Sequence, residues 1–389
     1  MKKGLLALAM GAFALGFGEF VMMGVLTQVA ATVGVSVPEA GGFVSAYAVG
    51  VCVGTLFLVL GHKIAPRRLL VLFMGICCVG NLAAALAPSA GALTVARFVS
   101  GLPHGAYFGT ATIAARALAE KGQEGKAVAG MVLGQTLANT IGVPGGTLLS
   151  GLVSWRASFA LVGLWALAAL VMIWLMVPQI PAVKDAGLAG QFRFLGRPGP
   201  WVVLAAVLLG NTGLFCWWSY VSPWLINVGG FAEAVTPALL VLAGLGMTAG
   251  SQFGGRLGDR LTPGWAAAVG QTISATMLLL IFAFSASSPV VTVILMFGCC
   301  VGFFFVSSPQ QVAMVEIGRG GGEMIGSACV QIAFNGGNAI GALIGQAVLD
   351  SGHAYMWPAL AGAPIAAGAA ALLAVYALRF EREYHRATN

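Results

Sequence analysis

Three ionisable side chains stand inside long apolar runs: Glu19 in Gly16-Phe17-Gly18-Glu19-Phe20, Arg97 in Arg97-Phe98-Val99-Ser100-Gly101, and His104 directly after Pro103. A carboxyl held in such surroundings can take up and release a proton. A guanidinium beside it supplies a fixed charge that biases the exchange, and an imidazole titrates near neutral pH and suits a relay. The competing reading of Glu19 and Arg97 is a static ion pair bridging two helices. A charge at a bilayer centre costs about 2.5–3.5 kcal/mol on insertion scales, and carboxylates placed there commonly mark ion or solute pathways. Proton exchange is therefore the favoured reading. His104, a lone histidine beside a proline, reads equally as a relay or solute contact and as a packing residue.

A second group of residues is uncharged but polar. Gln135 and Asn139, Asn211 with Trp217 and Trp218, Gln310 and Gln311, and Gln331, Asn335 and Asn338 all fall in otherwise apolar sequence. Amides there are costly unless paired. Gln331, Asn335 and Asn338, spaced i, i+4 and i+7, share one helix face. As a set the amides suit a polar cavity for a hydroxyl-rich solute, while for any single one a hydrogen bond between helices accounts for it equally well. Trp217 and Trp218 can stack on a sugar or an aromatic ligand, or anchor a helix at the membrane interface.

The elements that position these residues follow from composition. Apolar residues make up 59% of the 389 and charged residues only 8%, with a mean hydropathy of +0.93. A water-soluble domain carries charge on about a quarter of its residues, so lipid must be the solvent here. A hydrocarbon core about 30 Å thick takes about 20 apolar residues as helix. That ruler predicts twelve transmembrane helices near 5–31, 41–61, 69–87, 92–116, 126–151, 157–177, 201–226, 236–257, 264–285, 289–313, 324–349 and 355–378. The first run is too long for a cleaved signal and reads as a retained anchor. The longest polar stretch divides the chain into a six-helix half at 1–177, a cytoplasmic linker at 178–200 and a second half with a short tail at 201–389. Of the 19 Lys and Arg, all but Arg156 and the intraspan Arg97 fall on one side of this scheme. The positive-inside rule then puts both termini in the cytoplasm, and twelve spans fit without strain on the pattern.

The net charge of +7 is scattered in short loops, with no basic face interleaved with aromatics, so nucleic acid is not an expected partner. The seven cysteines all fall within spans and read as small packing residues. Neither metal-ligand spacing nor an HExxH or serine–histidine–aspartate arrangement is present, and no cofactor, metal or enzymatic reaction is expected.

A shift of 196 residues lays Gln135 on Gln331, Asn139 on Asn335, Gly145 on Gly341, Gly54 on Gly250 and Lys63 on Asp259. One shift serving two separated regions points to a parallel duplication. Transporters built from such repeats hold solute near the bilayer midplane, where the repeats meet.

At this point the motifs match a family. Gly255-x3-Asp259-Arg260 resembles the loop signature of the major facilitator superfamily, and Arg97-x3-Gly101 resembles its fourth-span arginine motif. Gly134 with Gly142-Val143-Pro144-Gly145-Gly146 resembles the glycine-proline motif of its antiporter branch. More closely, Gly18-Glu19-Phe20, Ser100-Gly101-Leu102-Pro103-His104-Gly105-Ala106, Ala129-Gly130-Met131-Val132 and Gln331-Ile332-Ala333-Phe334-Asn335 resemble the arabinose-efflux-permease-like group, over nearly the whole chain.

The resemblance implies a twelve-helix facilitator fold, alternating access and proton-driven efflux of sugars or other small solutes from a bacterium across its inner membrane. It makes Asp259, Arg260, Gly142, Pro144 and Gly145 gating residues. The first-half loop departs from the pattern: Lys63 stands where the repeat places a carboxylate. Asp259 is then the one acid suited to face a helix N-terminus, and Asp259→Asn is expected to loosen the outward-open state more than any change at Lys63. The expected partners are a small-molecule solute, protons and the bilayer, with the chain a monomer. A proton-coupled or facilitative uptake permease, and more remotely a non-transporting ligand sensor, are the alternatives.

Overall fold

The computed structural model describes residues 2–60, 64–120, 123–180, 192–319 and 322–385. The predicted linker at 178–200 and Lys63 lie partly or wholly outside them. The described residues are helical, with no strand among them.

The helices in chain order are α1 (Lys2–Gly24), α2 (Leu26–Val33), α3 (Val37–Leu60), α4 (Pro66–Leu86), α5 (Ala90–Gly101), α6 (His104–Leu118), α7 (Glu124–Leu137), α8 (Val143–Leu152) and α9 (Trp155–Met176). After a 3-10 turn at Arg193–Gly196 come α10 (Pro198–Trp218), α11 (Val221–Asn227), α12 (Thr236–Arg260), α13 (Pro263–Phe284) and α14 (Pro289–Phe305). They are followed by α15 (Ser307–Ile317), α16 (Glu323–Asp350), α17 (Trp357–Arg379) and α18 (Glu381–His385).

Ten of the helical segments are long and apolar enough to cross a membrane. Their outer faces carry exposed apolar side chains, such as Leu86 and Leu175 at 80% and 70% exposure, which only a lipid solvent tolerates in such numbers. Two further helical stretches, 90–118 and 124–152, are each divided. In the first, Pro103 lacks the N–H that would bond to Val99, and the Leu102 N–H takes the Val99 carbonyl at 3.2 Å instead. In the second, Ala138–Gly142 form a π-helical turn between α7 and α8.

The chain forms two compact units, one of Met1–Asp185 with Thr236–Val241 and one of Ala186–Val235 with Leu242–Asn389. In the first, α1 packs on α7 and α9, and α3 packs on α5. In the second, α10 packs on α16 and α17, and α13 packs on α14 and α17.

Internal contacts of the two units repeat. A Cβ at Gly50 or Gly54 would stand 2.2 or 1.7 Å from the carbonyl oxygen of Phe98 or Leu102, so α3 and α5 touch backbone to backbone. Gly246 and Gly250 meet the carbonyls of Phe297 and Val301 in the same way. Ser89 and Ser288 each cap the following helix by accepting a backbone N–H three residues on, at 3.3 Å. Gly142 and Gly146 face Phe13 and Phe17, as Gly337 and Gly341 face Leu208 and Thr212.

That last correspondence corrects one pairing read from sequence. Gly341 matches Gly146 and not Gly145, because the π-helical turn accommodates one extra residue in the first unit. Gly145 is exposed and nothing lies within 4 Å of where its Cβ would be.

One end of the second unit is held by a carboxylate. Glu381, buried at the start of α18, accepts from the Gly264 N–H at 2.6 Å and from the Thr262 hydroxyl at 2.5 Å. It thereby satisfies donors at the N-terminus of α13, where a negative group is favoured.

Candidate functional site

Glu19, Arg97 and His104 lie together in the first unit, on α1, α5 and α6, and all three are buried. The proline break between α5 and α6 places His104 at the head of a new helix. There its Nε2 lies 3.7 Å from Glu19 Oε2. On the other side of the ring, Nδ1 lies 2.8 Å from the hydroxyl of Tyr47 on α3. Tyr47 comes this close because its helix meets α5 through glycines: a Cβ at Gly101 would stand 2.1 Å from the Tyr47 carbonyl oxygen.

Arg97 organises the same space from the other side. Its Nη1 donates to the Gly18 carbonyl at 2.7 Å, with longer donations at 3.4 Å from Nη2 to the Glu19 carbonyl and from Nε to the Phe43 carbonyl. The guanidinium carbon stands 4.4 Å from the centre of the Tyr47 ring and 5.4 Å from that of Phe159. A planar fork that spreads its donors over three carbonyls and stacks on aromatic faces is a task for arginine. The buried cation is thus tied to the backbone beside Glu19 and brings positive charge to the carboxyl's neighbourhood.

The repeat shows what this packing would otherwise hold. The correspondences above place Tyr47 opposite Ala243, Glu19 opposite Leu214, Arg97 opposite Met296 and His104 opposite Phe303, and all four counterparts are buried. In the second unit Phe303 packs edge-on to Phe215, with ring centres 5.7 Å apart. The same helix arrangement is therefore built around an apolar core. Four polar side chains at these positions are not something the bundle needs in order to pack.

The amides fall on several helices. Asn139 lies in the π-helical turn, 5% exposed, and neither polar atom of its side chain has a hydrogen-bond partner among the described residues. Gln135 is half-buried one turn earlier on α7. In the second unit Asn211 donates to the Val207 carbonyl at 2.8 Å, and Asn335 donates to the Gln331 carbonyl at 3.1 Å. Asn338 and Gln310 are buried, Gln331 is half-buried, and Gln311 bonds to Ser327. Trp217 is buried between Trp218 and Trp224, at ring distances of 5.8 and 5.0 Å, a core position that does not fit an interface anchor.

Asp259 and Arg260 are exposed at the end of α12, Gly142 closes the π-helical turn, and Pro144 is buried at the start of α8, directly after that turn. All seven cysteines are free. Among the described residues no group of His, Cys, Asp or Glu could hold a metal ion.

The family model described as Major Facilitator Superfamily matches residues 8–326. The chain belongs to the major facilitator superfamily. It is 40% identical over 384 residues to AraJ of Escherichia coli (strain K12), covering 98% of this chain and 97% of AraJ. It is 35% identical over 381 residues to the inner membrane transport protein YdhP of the same organism, covering 97% of each. The crystal structure of a D-xylose-proton symporter matches with a TM-score of 0.78 at 15% identity over 97% of each chain, a likeness of fold. As a facilitator-superfamily member the protein is a multi-pass membrane transporter of small molecules, and its relatives and fold are those of transporters and not of enzymes.

Proposed function

We propose that this facilitator exports a small solute, a sugar or another small compound, in exchange for protons by alternating access, and that Glu19 carries the proton. The observation that carries the reading is the contrast between repeats: Glu19, Arg97, His104 and Tyr47 replace Leu214, Met296, Phe303 and Ala243 in an otherwise recurring packing. Buried polar groups that the fold does not require point to function. In this reading Glu19 exchanges protons, Arg97 tunes the exchange through its charge, and His104 relays.

The solute is held by Gln135, Asn139, Asn211, Gln310, Gln331, Asn335 and Asn338, with Trp217 offering an aromatic surface. The unpartnered amide of Asn139 supports this, since a buried amide needs a partner and a hydroxylated solute supplies one. The direction rests on the resemblance of Gly142, Pro144 and Gly145 to the antiporter-branch motif, and Asp259 and Arg260 act at the cytoplasmic gate.

We read the two divided stretches as single broken crossings, which gives twelve spans in two halves joined near 178–200. Both termini then lie on the cytoplasmic face of a bacterial inner membrane, with the monomer as the working unit. The test is a broad solute screen in proteoliposomes with an imposed pH gradient. A solute expelled only when the gradient is present supports the proposal; gradient-driven accumulation would instead identify an uptake permease.

A further inference from the structure

Tyr47 belongs to the buried set above but carries no step in the proton scheme, yet its hydroxyl touches both the proton site and the backbone that carries it. The Oη lies 2.8 Å from His104 Nδ1 and 3.3 Å from the Leu15 carbonyl oxygen. Leu15 precedes Glu19 by four residues on α1, one helical turn. A phenol has a single proton to donate, so the hydroxyl has two settings.

In the first, it donates to Nδ1. The imidazole proton then sits on Nε2 and faces the Glu19 carboxylate across 3.7 Å. In the second, Nδ1 carries a proton and donates to the Tyr47 oxygen, whose own proton turns to the Leu15 carbonyl. Nε2 then presents a lone pair that can accept the proton of a protonated Glu19, leaving a carboxylate and an imidazolium. No proton is created or lost between the two sides of that transfer.

We propose that Tyr47 is the positioning residue of the proton site, its hydroxyl selecting whether the His104 nitrogen that faces Glu19 carries a proton or a lone pair. The proposal rests on the reading of Glu19 and His104 as the proton pathway. The titratable and charged groups around the imidazole are Glu19 from α1, Tyr47 from α3 and Arg97 from α5, with the Cys77 thiol of α4 interacting with Tyr47 and Arg97. Arg97 stacks on the Tyr47 ring, which phenylalanine also has, so Tyr47→Phe keeps that contact and removes the rotor.

The experiment is nitrogen-15 NMR of histidine-labelled full-length protein in lipid nanodiscs, with His104 assigned by its loss in His104→Gln. Wild type is expected to show one dominant neutral tautomer, with Nε2 protonated and Nδ1 accepting. Tyr47→Phe is expected to show two tautomers in comparable amounts. Tyr220→Phe controls for loss of a buried hydroxyl, since Tyr220 donates to the Ala342 carbonyl in the other unit, and it should leave the His104 signals unchanged. An unaltered tautomer in Tyr47→Phe, or an equal change in Tyr220→Phe, overturns the proposal. The measurement needs no transported solute, so its failure is distinct from a failure of proton coupling, which the flux assay reads.

Discussion

At the scale of single residues, the site joins a carboxyl, an imidazole, a phenol and a guanidinium within a few ångströms, out of water. Glu19→Gln keeps the shape and removes the exchangeable proton. It is expected to abolish solute-driven proton movement while the protein reaches the membrane in wild-type amounts, as read by vesicle pH and by immunoblot. Arg97→Lys keeps the charge but replaces a planar fork by one point donor, which cannot serve the Gly18, Glu19 and Phe43 carbonyls together. A hydrogen bond from a charged group contributes about 1.5–3 kcal/mol, and a loss of that order should appear as a lowered thermal midpoint in detergent. Glu19, Arg97 and His104 were legible in the sequence because a charged or titratable residue inside an apolar run is conspicuous. Tyr47 was not, since a tyrosine in such a run is ordinary; only the fold brings its hydroxyl to the imidazole.

At the scale of elements, glycines decide how closely helices meet. Gly54→Ala would drive a methyl group to 1.7 Å from the Leu102 carbonyl oxygen, which no rotamer relieves. Overpacking of this kind costs about 1–3 kcal/mol, and the variant should unfold at lower temperature than wild type. Gly145→Ala meets nothing within 4 Å and should leave the midpoint unchanged. Glu381→Ala removes the carboxylate that caps α13 and should cost about 1 kcal/mol, typical of a lost helix cap. Ten spans were readable from apolar run length, while the stretch predicted as one span near 92–116 divides at Pro103. Pro144 and its flanking glycines mark an irregular helix near the π-helical turn, but the one extra residue of that turn is visible only as a slipped correspondence, which is why Gly145 was matched to Gly341 in place of Gly146. Glu381 was equally silent in the sequence, because its partners at Thr262 and Gly264 are more than a hundred residues away.

At the scale of the whole molecule, the duplicated packing and the family membership support one another. The membrane class and the superfamily were readable from composition and from motifs lying in the right order, while the repeat was only half-readable, since small residues match by chance and the backbone contacts beneath them do not. The proposed proton site lies in the first unit, at positions the second fills with Leu214, Met296, Phe303 and Ala243. The most direct test of that claim is proton flux in sealed proteoliposomes carrying a pH-sensitive dye, recorded as a panel of small solutes is added, for wild type and Glu19→Gln at equal protein. The account predicts at least one solute that moves protons through wild type and none that does so through Glu19→Gln. Solute-driven proton flux of wild-type size in Glu19→Gln would contradict it.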